Sequence, residues 1–388
     1  MRDVAIIGVG VTKFGELWDA SFRDLGIQAG LKAMNDANLT GSEVDGMYLG
    51  NMSSGRFINQ HHVGALISDY SGMASRHVSA TRIEAAGASG GVAFRQAVMA
   101  VASGMNDIVV VGGAEKMTDV TDEATNEILD SATDQQWEAT IGTTFASLNA
   151  MIARRCIHEG IATREEIASV AVNSHANGAL NPDAQFRKAI TLDTVLKASP
   201  VADPLGVFDC APISDGAAAA VLCPLDIAEK YTDTPVKVFA STQASDTLAL
   251  FQRKDITTFG ATVAAAERAY SIAKIRPKDI SVAEVHDHYT IEGILAMQDL
   301  GLFKKGDAGK AFTDGRISIG GKIAVNTSGG LKARGHPIGA TGIAQIVEIT
   351  RQIRGDADKR QVPKVKYGLT HNVGGTGSEV VVNILGAV

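Results

Sequence analysis

Residues 82–101 read RIEAAGASGGVAFRQAVMAV: an Ala-rich extended approach turns through Gly87, Ser89, Gly90 and Gly91 into a helix that is apolar on almost every side. A surface helix keeps a polar face, so this one is expected inside a core. The small residues at its start let a second backbone or a ligand come close. The unpaired N–H groups there carry the positive end of the helix dipole. That combination suits an anion or an oxyanion. Asp107-Ile-Val-Val-Val-Gly-Gly follows at once, a β-branched run closed by glycines, so the order is strand, turn, buried helix, strand. This reads as the catalytic wall of an α/β enzyme.

The chain has 388 residues, 45% hydrophobic and 20% charged, enough for a large core and for two domains or one domain in two parts. A net charge of −7 argues against nucleic acid as a partner, because phosphate binding needs a basic surface. Any anionic ligand must meet a local basic pocket. The opening MRDVAIIGVGVTKFGE holds a short apolar run containing glycines, expected as a buried strand and not as a signal peptide or membrane span. A cytoplasmic protein is the expectation. Cys156, Cys210 and Cys223 are too few and too scattered for a disulfide framework or a zinc site, and none lies in a glycine-rich loop. Cys156, in MIARRCIHEG, is expected on a helix packing surface.

The two ends of the chain repeat one another. Val4 to Ile7, a helix from near Ser21, and Glu43-Val-Asp-Gly-Met-Tyr-Leu-Gly-Asn recur about 235 residues later as Val236 to Phe239, a helix over 261–273, and Lys278-Asp-Ile-Ser-Val-Ala-Glu-Val-His. Each half adds a glycine-rich helix start, around Gly87 and around His336, and a closing strand. Such halves can share a sheet-and-helix sandwich that covers the central helices on both sides. Residues 1–116 form the first part of one half, 117–230 an insertion that returns to it, and 231–388 the other half. Within the insertion, Met117 to Thr140 reads as a surface loop with short helices, Phe145 to Glu159 as a helix, and Thr163-Arg-Glu-Glu166 as a capped helix start.

Three motifs could do chemistry. His336 sits in Gly335-His-Pro-Ile-Gly-Ala-Thr-Gly, where Pro337 fixes the backbone and the glycines permit close approach; an imidazole there can take a proton near neutral pH. His286 and His288 flank Asp287 at a strand end, on one face if the strand geometry continues. No third ligand stands at a usual spacing, so no metal is expected. In His371-Asn-Val-Gly-Gly-Thr-Gly, the glycines allow a backbone N–H, such as that of Gly375, to pair with the N–H of residue 87 as an oxyanion hole.

Residues 82–95, GHPIGATG at 335–342, HDHY at 286–289 and HNVGGTG at 371–377 together resemble the signature loops of the thiolase superfamily, most of all its archaeal and sterol-carrier-type branch. SDGAAA at 214–219 and QASDTLAL at 243–250 extend the likeness nearly end to end. The resemblance implies a duplicated, five-layered α-β-α-β-α sandwich whose loop subdomain covers the active site. It implies His336 as the base, His286 as the enolate stabiliser, and His288 where the branch holds an acid/base cysteine. It places Asn326, in Asn-Thr-Ser-Gly-Gly, in a loop that orders water and the histidines, and His371 where other branches carry cysteine.

The function so implied is an acyl-CoA C-acyltransferase, forming acetoacetyl-CoA or cleaving a 3-oxoacyl-CoA, with coenzyme A as substrate and no covalently bound cofactor. One departure matters more than any match: Gly87 stands where the family has its nucleophilic cysteine, and a glycine cannot carry an acyl group. The chain is therefore expected to be an inactivated or specialised member. The alternatives are a degradative subunit for a bulky or aromatic 3-oxoacyl-CoA, and a noncatalytic acyl-CoA-binding or scaffold subunit. The family further implies a homodimer or dimer of dimers, with the strand near Ile108 pairing across it. It also suggests a small zinc-binding OB-fold subunit and a hydroxymethylglutaryl-CoA synthase as partners. Arg187 and Lys188, with Arg253 and Lys254, are the candidates for the coenzyme A phosphates.

Overall fold

The apolar run at the start of the chain forms β1 (Val4–Val11), buried at every position, so both its faces are covered. The computed structural model describes residues 1–388. Ser21 caps α1 (Phe22–Asp36) with a complete capping box. There follow β2 (Gly46–Gly50), α2 (Ser54–Phe57), α3 (Val63–Tyr70), β3 (Ser79–Ile83), α4 (Ser89–Ser103) and β4 (Val109–Glu115). The insertion holds α5 (Asp122–Asp130), α6 (Phe145–His158), α7 (Arg164–Gly178), α8 (Leu192–Leu196) and a small hairpin of β5 (Pro200–Ala202) with β6 (Leu205–Gly206). The chain returns as β7 (Gly216–Pro224). The second half runs β8 (Val236–Ser245), α9 (Gly260–Ala273), β9 (Val282–Glu284), α10 (Thr290–Asp299), α11 (Ala308–Thr313), β10 (Ala324–Val325), α12 (Ile338–Arg354), β11 (Tyr367–Gly374) and β12 (Glu379–Ala387).

The strand order makes the repeat explicit. It runs β3-β2-β4-β7-β1 and continues as β8-β12-β11-β9-β10, so the second half mirrors the first. In each half the outer pairs are parallel (β3 with β2, β2 with β4; β10 with β9, β9 with β11), and the inner pairs are antiparallel. The halves join where Ala5 meets Lys237 and Ile6 meets Val236 on β1 and β8.

Between them lie α4 and α12, which share a core cluster containing Phe94, Ala97, Val101, Ile343 and Ile346 with strands of both halves. α1 and α3 cover the first half's other face, packing Leu25, Ala29, Ala33 and Ile67 on β1, β2, β4 and β7. α9 and α10 do the same for the second half. The helix starts of α4 and α12 meet through glycine alone: a Cβ on Gly90 would lie 2.7 Å from the Gly339 oxygen, and one on Gly342 2.2 Å from the Gly91 nitrogen.

Two expectations change. β4, the strand after Ile108, is flanked by β2 and β7 and has no free edge, so it cannot pair with a second copy. The free edge of the first half belongs to β3. The stretch Met117 to Thr140 is also more than a surface loop: Met117 and Ile128 are buried against Met52, Phe57 and Ile338, which brings α5 over the starts of the central helices.

Candidate active site

Three loops converge where α4 and α12 begin. β9 ends in the loop carrying His286, Asp287 and His288, and Asn326 holds it in place by accepting the Val285 N–H at 2.7 Å. Leu331 N–H donates to the Asp287 carboxylate at 2.7 Å, and Ser174 adds a bond at 3.0 Å, so Asp287 anchors the loop. Gly335, at φ +110°, takes a backbone shape that favours glycine and delivers His336 beside Pro337. The His286 and His336 ring centroids are 5.2 Å apart, those of His286 and His288 4.9 Å, and those of His288 and His336 6.0 Å.

The rings border a cavity of about 70 Å³, which also meets Gly87, Tyr289, Val373 and Gly375. Its apolar side is Met52, Met117, Leu129, Phe145, Ile213 and Ile338. The amides of Gly87 and Gly375 donate to no protein acceptor. Both stand at this cavity, as an oxyanion hole requires.

Hydrogen bonds fix different proton positions on two of the rings. Nδ1 of His286 accepts from the Val373 N–H at 3.3 Å and the Asn372 amide at 3.2 Å, which leaves its proton on Nε2. Nδ1 of His336 lies 2.7 Å from the Thr341 hydroxyl, which itself donates to the Pro337 carbonyl, so His336 is the donor there and its Nε2 keeps a lone pair. Burial first, then neighbouring imidazoles and the Arg334 guanidinium, hold His286 well below the ordinary imidazole range. His336 is lowered likewise by burial, His288 and Arg334. One neutral ring thus presents a donor and the other an acceptor.

His288 has a different neighbour. Its Nδ1 is 2.5 Å from Oε2 of Glu292, one turn along α10, in a contact too bent to count as a hydrogen bond, while its Nε2 has no partner. Phe145 stacks on the ring with centroids 5.1 Å apart. Burial raises the Glu292 carboxyl, opposed by His288 and Arg253.

Gly87 is closely enclosed. A Cβ there would lie 2.4 Å from the Val373 carbonyl oxygen and 3.4 Å from His286 Nε2, so the space for a cysteine side chain is taken by backbone. Ser89 offers no substitute: it is fully buried, accepts the Ala85 N–H at 2.9 Å and donates to the Ala86 carbonyl at 2.7 Å. None of the three thiols lines the cavity, and burial pushes each of Cys156, Cys210 and Cys223 up to about 12.

Other expected residues lie elsewhere. His371 points away from the cavity to Thr262, 3.0 Å from its hydroxyl, and burial lowers it to about 3; strand alternation turns Asn372 inward instead. Asn326 is buried behind the histidine loop and does not line the cavity. Arg253 is engaged with the Thr376 and Thr247 carbonyls, which ties it to the HNVGGTG loop. Arg187, Lys188 and Lys254 are exposed and outside the cavity lining.

Glu292, Asn372, Thr341 and Arg334 were not singled out from sequence. Glu292 is the one acid in the apolar run TIEGILAM, four residues after His288, and that was a signal available to find it. Thr341 and Asn372 lie inside motifs already noted for their neighbours.

Residues 4–226 match the family described as thiolase, N-terminal domain, and residues 242–387 the thiolase C-terminal domain-like family. The chain is 56% identical over 384 residues to an acetyl-CoA acetyltransferase of Methanothermobacter thermautotrophicus, covering 99% of each. It is 32% identical to sterol carrier protein 2 of Bos taurus over 97% of this chain and 71% of that one. Among solved structures, the Ltp2-ChsH2(DUF35) aldolase superposes with a TM-score of 0.85 at 28% identity, over 99% of this chain and 98% of that one. With both halves matched and relatives that align over 97% or more of its length, the chain belongs to the thiolase family, in the branch that holds archaeal acetyl-CoA acetyltransferases and sterol carrier protein 2.

Proposed function

We propose that this thiolase-type acyl-CoA enzyme is a specialised member that makes or breaks a carbon–carbon bond at the α-carbon of a coenzyme A thioester through its enolate, with no acyl-enzyme. The observation that carries the reading is the pairing of an enclosed Gly87 with two imidazoles in complementary proton states. His336 Nε2 takes the α-proton. The Nε2–H of His286 donates to the enolate oxygen, and the free amides of Gly87 and Gly375 can hold a second oxyanion. A subunit that only holds acyl-CoA or a partner has no use for this division of roles.

Acyl transfer as in the relatives named acetyl-CoA acetyltransferase would then pass directly between two bound thioesters. The solved structure named as an aldolase breaks the same kind of bond in its own substrate. That neighbour is named together with a DUF35 component, which supports the small companion subunit inferred from sequence. A zinc-binding OB-fold subunit and a hydroxymethylglutaryl-CoA synthase are the partners to test by copurification. Arg187 and Lys188 are the first basic residues to test for the phosphates.

The test is deuterium uptake into the methyl group of acetyl-CoA in D2O, followed by mass spectrometry. The expected result is uptake by the native chain and its loss in H336A, by a factor on the order of 100 or more. Binding of acetyl-CoA with no uptake would establish a noncatalytic holder instead.

A further inference from the structure

The groups around the cavity form an inventory: one base (His336), one enolate donor (His286), no nucleophile, and a third imidazole, His288, whose Nε2 has no partner and whose other nitrogen is backed by the buried carboxylate of Glu292. A Claisen step between two thioesters expels a thiolate and needs no proton delivered to the acceptor's oxygen. An aldol step creates an alkoxide, which must be protonated where it forms. The 2.5 Å contact of His288 Nδ1 with Glu292 occupies that side of the ring and leaves Nε2 as the nitrogen that can pass a proton. The His288 and His336 ring centroids are 6.0 Å apart, near enough for one substrate to meet His336 at its α-carbon and His288 at its β-oxygen.

We propose that the chain is an aldolase for 3-hydroxyacyl-CoA thioesters, adding an acyl-CoA to an aldehyde or ketone with His288 as the proton donor to the new hydroxyl and Glu292 as its positioning residue. The proposal rests on the enolate reading above. In the synthetic direction His336 removes a proton from the α-carbon, and the electron pair enters the thioester as an enolate held by His286. The enolate carbon attacks the carbonyl carbon, forming the carbon–carbon bond as the C=O π pair moves to oxygen. That oxygen takes the proton from His288 Nε2, giving the 3-hydroxyacyl-CoA. His336 then gives its proton to solvent and His288 regains one, so acyl-CoA and carbonyl compound are the only reactants. The apolar side, with Phe145 and Ile213, fits a carbonyl compound bearing a small hydrocarbon group.

The experiment offers the native chain acetyl-CoA together with acetaldehyde, acetone or benzaldehyde, and reads the products by mass spectrometry beside the deuterium-uptake assay. A 3-hydroxyacyl-CoA adduct is expected from at least one carbonyl compound. E292Q should lower adduct formation by at least about tenfold in kcat with KM little changed, reduce deuterium uptake far less, and be partly rescued in E292D. Uptake with no adduct from any of the three, or with acetoacetyl-CoA as the only product, would overturn the aldol assignment and leave the enolate reading standing. Absence of uptake would overturn both. Because His286, His288 and Glu292 each offer an atom within 4.8 Å of the others, adduct formation is also measured after EDTA dialysis. Loss of activity restored by Zn²⁺ would make His288 a ligand and overturn its role as donor.

Discussion

His286 and His336 are the same residue type set 5.2 Å apart, and the hydrogen-bond partners of their Nδ1 atoms give them opposite tasks. The backbone N–H of Val373 protects a lone pair on His286, and the hydroxyl of Thr341 takes the proton of His336. T341V removes that acceptor and leaves the His336 ring in place. Deuterium uptake by T341V should fall by about tenfold, equivalent to about 1.4 kcal/mol of barrier, with the melting temperature nearly unchanged. Gly87 makes a second residue-level prediction. A methyl group there meets a backbone carbonyl at 2.4 Å, so G87A should destabilise the fold by about 1–3 kcal/mol, measured by denaturant unfolding. Stability equal to the native chain would show that the Val373 loop gives way easily. Gly87 itself was conspicuous in the sequence, but its closeness to Val373 was not, because 286 positions separate them.

At the scale of elements, the helix starts were the most legible features. Thr163 accepts the Glu166 N–H at 3.2 Å and Glu166 accepts the Thr163 N–H at 2.9 Å, the reciprocal pair that the spacing implies for α7. T163A should cost about 1 kcal/mol. The start of α9 is held differently: Asp299, at the end of α10, accepts the Phe259 N–H at 2.8 Å, and burial raises its carboxyl to about 7. A carboxyl whose folded value is raised contributes stability below its unfolded value that is lost as pH rises through the folded one. The native melting temperature should therefore fall between pH 4 and about 7 more steeply than that of D299N, whose amide oxygen can keep the bond without ionising. Parallel slopes in the two proteins would contradict this. No local signal marks such a tie, since it links two helices 40 residues apart.

For the molecule as a whole, the mirrored strand order leaves two outer edges, β3 and the two-residue β10. β3 is five residues long and only partly covered, so it is the edge on which a second copy can add strands. Amide exchange over 79–83 should slow as protein concentration rises while that of 324–325 does not; equal behaviour at all concentrations would remove β3 from any dimer interface. No helix is long and apolar enough to cross a membrane.

The sequence by itself determined the two-part α/β fold, the buried central helices and the loops that carry His286, His288 and His336. Those follow from signals confined to a few neighbouring residues: apolar periodicity, glycine at helix starts, and capping spacings. Only the tertiary structure decided which nitrogen of His286 and of His336 carries the proton, that Glu292 lies against His288, that His371 turns away, and that β4 is interior while β3 is the edge. Each of these depends on which distant backbone or side chain arrives alongside, and that is set by how the two halves pack.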